Sequence, residues 1–200
     1  MRLTKPRVPP LKLEECTPEQ RELLTKGNPA RILNVFATIA RHADLYRRWI
    51  PFGNHILFKS TLSPRDREIA ILRIGWLCKS GYEFAQHTVV GRRAGLSDDE
   101  IERTKHGADA PGWSESERWI VKATDELHED AFISDGTWAG LTKHYNTNQM
   151  IDLVFTVGQY NMVSMVLNSF GVQLEEKVQG PDLPVNRPVG GPVGGTVGGQ

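Results

Sequence analysis

The chain has 200 residues, 39% of them hydrophobic, which is enough for one compact domain with a sizeable core and argues against a second full domain. Lysine plus arginine and aspartate plus glutamate both number 24, so no overall charge would draw the chain to nucleic acid or to an anionic membrane. We therefore expect its partners to be a small-molecule substrate and further copies of the chain.

Cysteine usage and the N-terminal segment point to an intracellular protein. Cys16 and Cys78 are too far apart in sequence for a zinc knuckle or a C-x-x-C redox pair. The first residues are basic but lack the apolar core of a signal peptide, and inspection of the sequence reveals no stretch of transmembrane length. A cytoplasmic location with reduced thiols is the expectation.

Proline and glycine divide the chain into three parts. Three prolines in the first dozen residues predict a surface arm over residues 1–16. Residues 17–179 are predicted to form one all-α domain, because capping signals recur and strand signals are weak. A P/T-V-G-G repeat predicts a flexible tail over residues 180–200, since it offers too little apolar surface to offset the entropy lost on ordering.

The predicted helices begin at hydroxyl or amide caps, several followed by proline or an acid. The clearest start is Ser63-Pro64-Arg65-Asp66, which opens a helix through Leu77. Gly53 is predicted to mark a bend. The other predicted helices, in chain order, start at Thr17, near Asn28 (ending at Ile39), at Gly81 (to Ala94), Ser97 (to Gly107), Ser114 (to Leu127), Ser134 and Thr147 (to Phe170).

Glu83 and His87 are four residues apart in the predicted helix 81–94 and therefore share one face. Phe84 and Val90 lie on the same face, which predicts that the acid and the imidazole point towards the core. A carboxylate beside a histidine orients the ring and favours its charged form, and together they can transfer a proton near neutral pH. The alternative is a structural pair that only satisfies its own hydrogen bonds, and spacing alone slightly favours that alternative.

Glu68 is a third candidate, on the preceding helix. It shares a face with Ile71 and Gly75 and can reach the same site if the two helices form a hairpin. An acid near a helix start is commonly there for the helix dipole, so Glu68 taken alone indicates a structural role.

Two segments together resemble the core motif of the carboxymuconolactone decarboxylase family. They are Leu62–Arg73 (LSPRDREIAILR) and Tyr82–His87 (YEFAQH), which match the family's R-E pair on one helix and E-x-x-x-H motif on the next. The resemblance covers roughly residues 28–173. It implies an AhpD-like helical bundle with a helical-hairpin active-site motif, and a homo-oligomer of three or six copies.

The same superfamily includes the alkylhydroperoxidase AhpD, whose site has a glutamate, a C-x-x-C pair and a histidine. On that pattern Glu68 takes the glutamate position and His87 the histidine position, whereas Ser80 and Glu83 stand at the two cysteine positions. Cys78 lies two residues before the first of these and has no second thiol. Because disulfide-based peroxide reduction needs two thiols, acid–base chemistry is the expectation.

The resemblance implies a cofactor-independent enzyme acting on a small carboxylated lactone or related carbonyl compound, with decarboxylation as the leading reaction. His87 is the expected proton donor, Glu83 the residue that holds and charges its ring, and Glu68 a relay. No metal site is expected, because the histidines lack metal-ligand spacing. The residues expected to contact substrate are Arg73, Tyr82, His55, Ser80 and Tyr160.

Other functions remain open from the sequence. An isomerase, a dehydratase or a hydrolase acting on a related substrate needs the same proton shuttle. A non-catalytic helical assembly module, with the Glu–His pair as a polar contact, belongs to a different class.

Overall fold

The computed structural model describes residues 2–26, 32–176, 178, 180 and 181. Over these residues the protein is all-α, as predicted, with nine α-helices and a short 3-10 turn at Leu13–Glu15. The predicted start near Asn28 lies outside the described residues, and so does the predicted tail from residue 182 onward. The helices are α1 (Pro18–Thr25), α2 (Asn34–Ile39), α3 (Ala43–Phe58), α4 (Pro64–Leu77), α5 (Gly81–Arg93), α6 (Asp98–Arg103), α7 (Glu115–Asp130), α8 (Asp135–Leu141) and α9 (Thr147–Phe170).

The helix starts follow the side-chain caps that the sequence offers. Ser63 accepts a hydrogen bond from the amide of Asp66, and Pro64 occupies the first helical position of α4. Such caps provide partners for amides that the first helical turn leaves unbonded. The last helix is capped by Asn146, not by Thr147 as predicted. Four starts have complete capping boxes, those at Thr17, Ser97, Ser114 and Asn146.

Helix α4 is the centre of the fold. It packs against α5, α7 and α9, and its nine consecutive residues from Arg67 to Gly75 are all buried. Ile69, Ile71 and Leu72 are fully buried there. Burial of each such side chain typically contributes about 1.5–3 kcal/mol. Because α4 is covered on every side, any charged residue on it needs a partner within the fold.

Helix α3 continues without interruption through Gly53, where the sequence predicted a bend. Position 53 faces α9, since a Cβ there would lie 3.7 Å from Nε2 of Gln159, in ordinary contact. The prediction of a bend was wrong because a helix tolerates a glycine in its interior at a cost of about 1 kcal/mol.

Helix α9 covers the predicted residues, but the sequence analysis did not expect any stretch of transmembrane length. Its 24 residues, with a mean hydropathy of 1.3 in the most apolar window, reach transmembrane length and composition. That window is 56% buried inside the fold, and the buried polar residues Asp152 and Gln159 lie on the helix. Packing against α4 and α7 explains its apolar character.

The N-terminal segment is tied to the helical domain by backbone hydrogen bonds. The amides of Arg7 and Val8 donate to the carbonyl of Phe170, at the end of α9. The amide of Leu11 donates to the carbonyl of Ala37 in α2. These hydrogen bonds hold the N-terminal segment against the ends of α9 and α2.

Candidate active site

The site is built on a hairpin of the neighbouring helices α4 and α5. The turn between them passes through Lys79, which adopts a left-handed φ of 54°, and Ser80, the residue before α5. Glu83 on α5 lies directly opposite Gly75 on α4, since a Cβ at position 75 would be in contact with Cγ of Glu83 at 3.4 Å. The hairpin brings the three predicted catalytic side chains into one cluster.

His87 lies between two carboxylates. Its Nδ1 is 2.6 Å from Oε2 of Glu68, and its Nε2 is 3.0 Å from Oε1 of Glu83. Glu68 is fully buried, and Glu83 and His87 are 4% and 7% exposed. Each glutamate therefore contacts one nitrogen of the histidine ring. The two glutamates differ, because Glu83 lines a cavity whereas Glu68 lies behind the ring.

Arg67 extends this cluster by one more charge. Its Nε lies 3.1 Å from Oε1 of Glu68, and its side chain is 10% exposed. The guanidinium also lines the cavity and forms no other hydrogen bond within the described part of the chain. Positive and negative groups thus alternate from Arg67 through Glu68 and His87 to Glu83, which lets four charges lie together away from water.

The electrostatic surroundings keep His87 protonated. Burial by itself would lower the pKa of the imidazole, because it disfavours the charged form. The negative charges and hydrogen bonds of Glu68 and Glu83 outweigh burial and raise the pKa of His87 to about 10. At neutral pH the ring is an imidazolium with a proton on each nitrogen.

A cavity of about 420 Å³ opens beside this cluster. Its volume lies in the range of small-molecule sites, which are largely apolar with a few polar groups. The exposed residues Asn54 and Phe58 lie at its mouth. The polar lining comprises Trp49, Asn54, Arg67, Tyr82, Glu83, Gln86, His87, Gln159 and Tyr160, and the apolar walls include Val35, Phe36, Leu57, Val90 and Val163.

Two predicted substrate-contact residues do line the cavity. The ring of Tyr160 packs edge-on against His87, with centroids 4.8 Å apart. Burial, together with the nearby carboxylates, raises the pKa of Tyr160, so its hydroxyl stays protonated. Tyr82 also lines the cavity, but its hydroxyl already donates to Glu175 at 2.8 Å. Tyr160 is therefore the freer of the two to contact a ligand.

The structure places the other three predicted contact residues away from the cavity. Arg73 points to the opposite side of α4, where it pairs with Asp125 at 2.5 Å and donates to two backbone carbonyls. The side chain of His55 is half-exposed and contacts Asp152 at 3.3 Å. Ser80 is fully buried in the hairpin turn. None of these three side chains lines the cavity.

Five polar cavity residues were missed in the sequence. They are Trp49, Asn54, Arg67, Gln86 and Gln159. Arg67 had a signal, because it is the arginine of the R-E pair with Glu68. Gln159 had a weaker one, as a lone amide within an apolar helix. The other three had none.

Cys78 lies at the C-terminal end of α4, outside the cavity lining. Its thiol donates to Oδ1 of Asn161 at 2.9 Å. Burial raises the pKa of Cys78 to about 11, so the thiol is protonated near neutral pH. Among the described residues, no group of three or more His, Cys, Asp or Glu side chains is arranged to hold a metal ion.

Comparisons with known proteins agree with this geometry. Residues 43–126, which include the α4–α5 hairpin, match the carboxymuconolactone decarboxylase family. A search of curated proteins finds no significant match.

Solved structures show the same fold at low sequence identity. An uncharacterised peroxidase-related protein with an alkylhydroperoxidase AhpD core, from Ralstonia eutropha JMP134, aligns with a TM-score of 0.76 at 14% identity, covering 86% of this chain and 93% of that one. A peroxidase-related protein from Silicibacter sp. TM1040 aligns with a TM-score of 0.74 at 17% identity, covering 87% and 96%.

A third similar structure is a variant of the debrominase Bmp8 in complex with 2,3,4-tribromopyrrole. It aligns with a TM-score of 0.68 at 15% identity, covering 86% of this chain and 94% of that one. At these identities the three structures establish the fold alone. Residues 43–126 are thus similar to the carboxymuconolactone decarboxylase family, and the chain has the AhpD-like helical fold.

Proposed function

We propose that the protein is an acid–base enzyme that needs no cofactor and acts on a small carboxylated lactone or a related carbonyl compound, with decarboxylation as its reaction. The observation that carries this proposal is the Glu68–His87–Glu83 cluster at the wall of a 420 Å³ apolar cavity. A proton-transfer group of this kind typically accelerates a reaction by about 10²- to 10⁴-fold.

The two glutamates have different roles in this proposal. Glu68 is fully buried and contacts Nδ1, so it holds the ring and keeps it charged. Glu83 contacts Nε2 and also lines the cavity, so it passes the proton between the imidazolium and the substrate. Both nitrogens of His87 are occupied, and Glu83 is therefore the last group before the substrate.

Arg67 takes the substrate-binding role that the sequence analysis assigned to Arg73. Its guanidinium has donors left over after the contact with Glu68, and it lines the cavity. A planar guanidinium suits a carboxylate, with which it can form two parallel hydrogen bonds. In a substrate with two carboxylates, Arg67 holds the one that is retained.

The reaction balances with these groups alone. Loss of carbon dioxide breaks a carbon–carbon bond and leaves its electron pair on the substrate, where the conjugated lactone carbonyl accepts it as an enolate. The proton from His87, passed through Glu83, then forms the new carbon–hydrogen bond. A proton from water restores the imidazolium.

Three features support an enzyme over an assembly module or a thiol peroxidase. The charged cluster lines a cavity with a mouth at Asn54 and Phe58, whereas a purely structural pair would be packed on all sides. Ser80 and Glu83 stand where a two-thiol site would need cysteines. The pKa of Cys78 is raised, which keeps that thiol from being a ready nucleophile.

The test is a panel of carboxylated lactones and keto acids incubated in deuterated buffer. We expect carbon dioxide release and one deuterium on the carbon that had carried the carboxylate, with turnover falling at least ~10²-fold in His87→Gln and in Glu83→Gln. Exchange without carbon dioxide release would instead support an isomerase or a dehydratase. The matched control is His106→Gln, because His106 forms an exposed i,i+4 pair with Glu102 on the surface. Full turnover in His87→Gln would contradict the proposal.

We also propose that the protein is a homo-oligomer, a trimer or a hexamer. One face of α9 exposes large apolar side chains to solvent, and such a face is usually covered in an assembly. Light scattering tests this, with Phe155→Glu expected to dissociate the assembly and a monomeric wild type contradicting it. The exposed residues are Ile151 (50%), Phe155 (53%), Met162 (44%) and Met165 (59%).

A further inference from the structure

The amide of Gln159 is a buried polar group without a partner. The residue lies on α9, is 5% exposed and lines the cavity. Its Oε1 is buried and unbonded, and neither atom of the amide forms a hydrogen bond within the residues that the structure describes. The proposed proton transfer does not use it.

Trp49 provides a second unpartnered group on the same cavity. Its indole Nε1 is buried and has no acceptor among the described residues. Trp49 and Gly53 are four apart on α3 and therefore share a face. Gly53 leaves room for the amide, since a Cβ there would lie 3.7 Å from Nε2 of Gln159. The amide and the indole thus belong to side chains that line the same cavity.

Buried polar groups in native proteins are nearly always hydrogen-bonded, to protein, to water or to a ligand. Two unpartnered groups on one cavity wall are therefore a sign of a ligand group that pairs with them. They are one donor, the indole N–H, and an amide that supplies both a donor and an acceptor whichever way it is turned.

We propose that Gln159 and Trp49 form a binding subsite for a hydroxyl group, carried by the small ring compound whose carboxylate is held at Arg67. A hydroxyl both donates and accepts, so it can pair with the amide oxygen and with the indole N–H. A carboxylate fits poorly, because it has no proton to donate to the amide oxygen and would lie among apolar neighbours such as Leu57 and Val163. The carboxylate part of this inference rests on the proposed function.

The experiment measures binding only, by calorimetry, with probes that cannot turn over. The probes are benzoate and its 2-, 3- and 4-hydroxy derivatives, which keep the carboxylate and move the hydroxyl around the ring. We expect one of the three isomers to bind the wild type about 10-fold more tightly than benzoate, the typical effect of one well-placed buried hydrogen bond. The isomer that binds most tightly shows which ring position, counted from the carboxylate, lies next to Gln159.

The decisive variant is Gln159→Leu, which keeps the size of the side chain and removes the amide. We expect it to bind benzoate as the wild type does and to lose the preference for the hydroxylated isomer, with the remaining ratio below ~2-fold. Trp49→Phe, which removes only the N–H donor from the wall, should reduce the same preference. The matched control is Thr156→Val, because Thr156 is another buried, unpartnered polar residue of α9 that does not line the cavity.

The outcomes separate this inference from the proposed function. Equal binding of all four acids, or a hydroxyl preference that persists in Gln159→Leu, would overturn the subsite while leaving the carboxylate site intact. Binding of none of the four would overturn the carboxylate site at Arg67, and the hydroxyl subsite with it.

Discussion

Oε2 of Glu68 lies 2.6 Å from Nδ1 of His87, and the carboxylate is fully buried behind the ring. The contact holds a charged imidazole at a position where burial alone would make the ring neutral. Every function proposed for the site depends on this pair, since it sets the protonation state of the histidine.

The pair makes the stability of the protein depend on pH. The pKa of His87 rises from 6.5 to about 10 on folding, so the folded state holds a proton that the unfolded state releases between these values. The stabilisation is fully present below pH 6.5 and is lost as the pH rises towards 10. We expect a slope of at most about 1.4 kcal/mol per pH unit in that window.

Urea unfolding from pH 6 to 10 measures this effect. The reference is the Glu68→Gln/His87→Gln double variant, which replaces the pair by neutral amides. The difference between wild type and double variant should shrink with rising pH. A difference that stays flat would show that His87 is neutral in the folded protein.

Glu68→Gln and Glu83→Gln should affect different properties. Glu68 lies between Arg67 and His87 without solvent access, so its replacement should cost about 3–5 kcal/mol of unfolding free energy. Glu83 faces the cavity, where water can solvate the remaining partner, so its replacement should lower turnover more than stability. Denaturation and single-turnover rates on the same samples distinguish the two. A larger stability loss in Glu83→Gln would contradict the assigned roles.

Gly75 is expected to control the position of Glu83. A Cβ at position 75 is in ordinary contact with Cγ of Glu83, so Gly75→Ala should be tolerated. The larger Gly75→Val should push Glu83 away and lower turnover by about 10²-fold, because small misplacements of catalytic groups have effects of this size.

The controls for that series are Gly136→Ala and Gly136→Val. Gly136 lies in α8, where a Cβ would meet nothing within 4 Å. Gly136→Ala should raise stability by about 0.5–1 kcal/mol through helix propensity, without any change in rate. Equal rates for the two valine variants would refute the role of Gly75.

Arg67 and Arg73 should respond differently to replacement by lysine. Arg67→Lys should raise KM for a carboxylated substrate about 10-fold, since lysine cannot form the paired hydrogen bonds of a guanidinium. Arg73→Lys should leave KM unchanged and lower stability by about 1–3 kcal/mol, because its bonds to Asp125 and the carbonyls of Thr104 and Lys105 are structural. Steady-state kinetics and thermal unfolding test both statements, and a KM effect at Arg73 alone would reverse the assignment.

Cys78→Ser should leave lactone turnover within about 2-fold of the wild type, because the thiol donates to Asn161 and does not line the cavity. A peroxide-reduction assay on the wild type and on Cys78→Ser tests the alternative that the protein is a thiol peroxidase. Peroxide turnover by the wild type that disappeared in Cys78→Ser would show that this single thiol works without a second cysteine.

The helix starts and the spacing of Glu83 and His87 were predictable because both depend on local sequence. Caps such as Ser63 act on amides within the next turn, and residues four apart share a helical face in any fold. The bend at Gly53 was mispredicted for the opposite reason. Gly53 lies against Gln159 of α9, about a hundred positions away in the chain. Local sequence cannot reveal that contact.

The sequence by itself determined an all-α chain, a glutamate and a histidine on one helical face, and the absence of cysteines at positions 80 and 83. Only the tertiary structure decided between Arg67 and Arg73. Both are buried on α4, and periodicity cannot separate them because that helix is covered on all sides. The neighbours make the difference, since Arg73 meets Asp125 of α7 whereas Arg67 lies beside Glu68 at the cavity. Long-range packing, and not local pattern, selects which charge a ligand can reach.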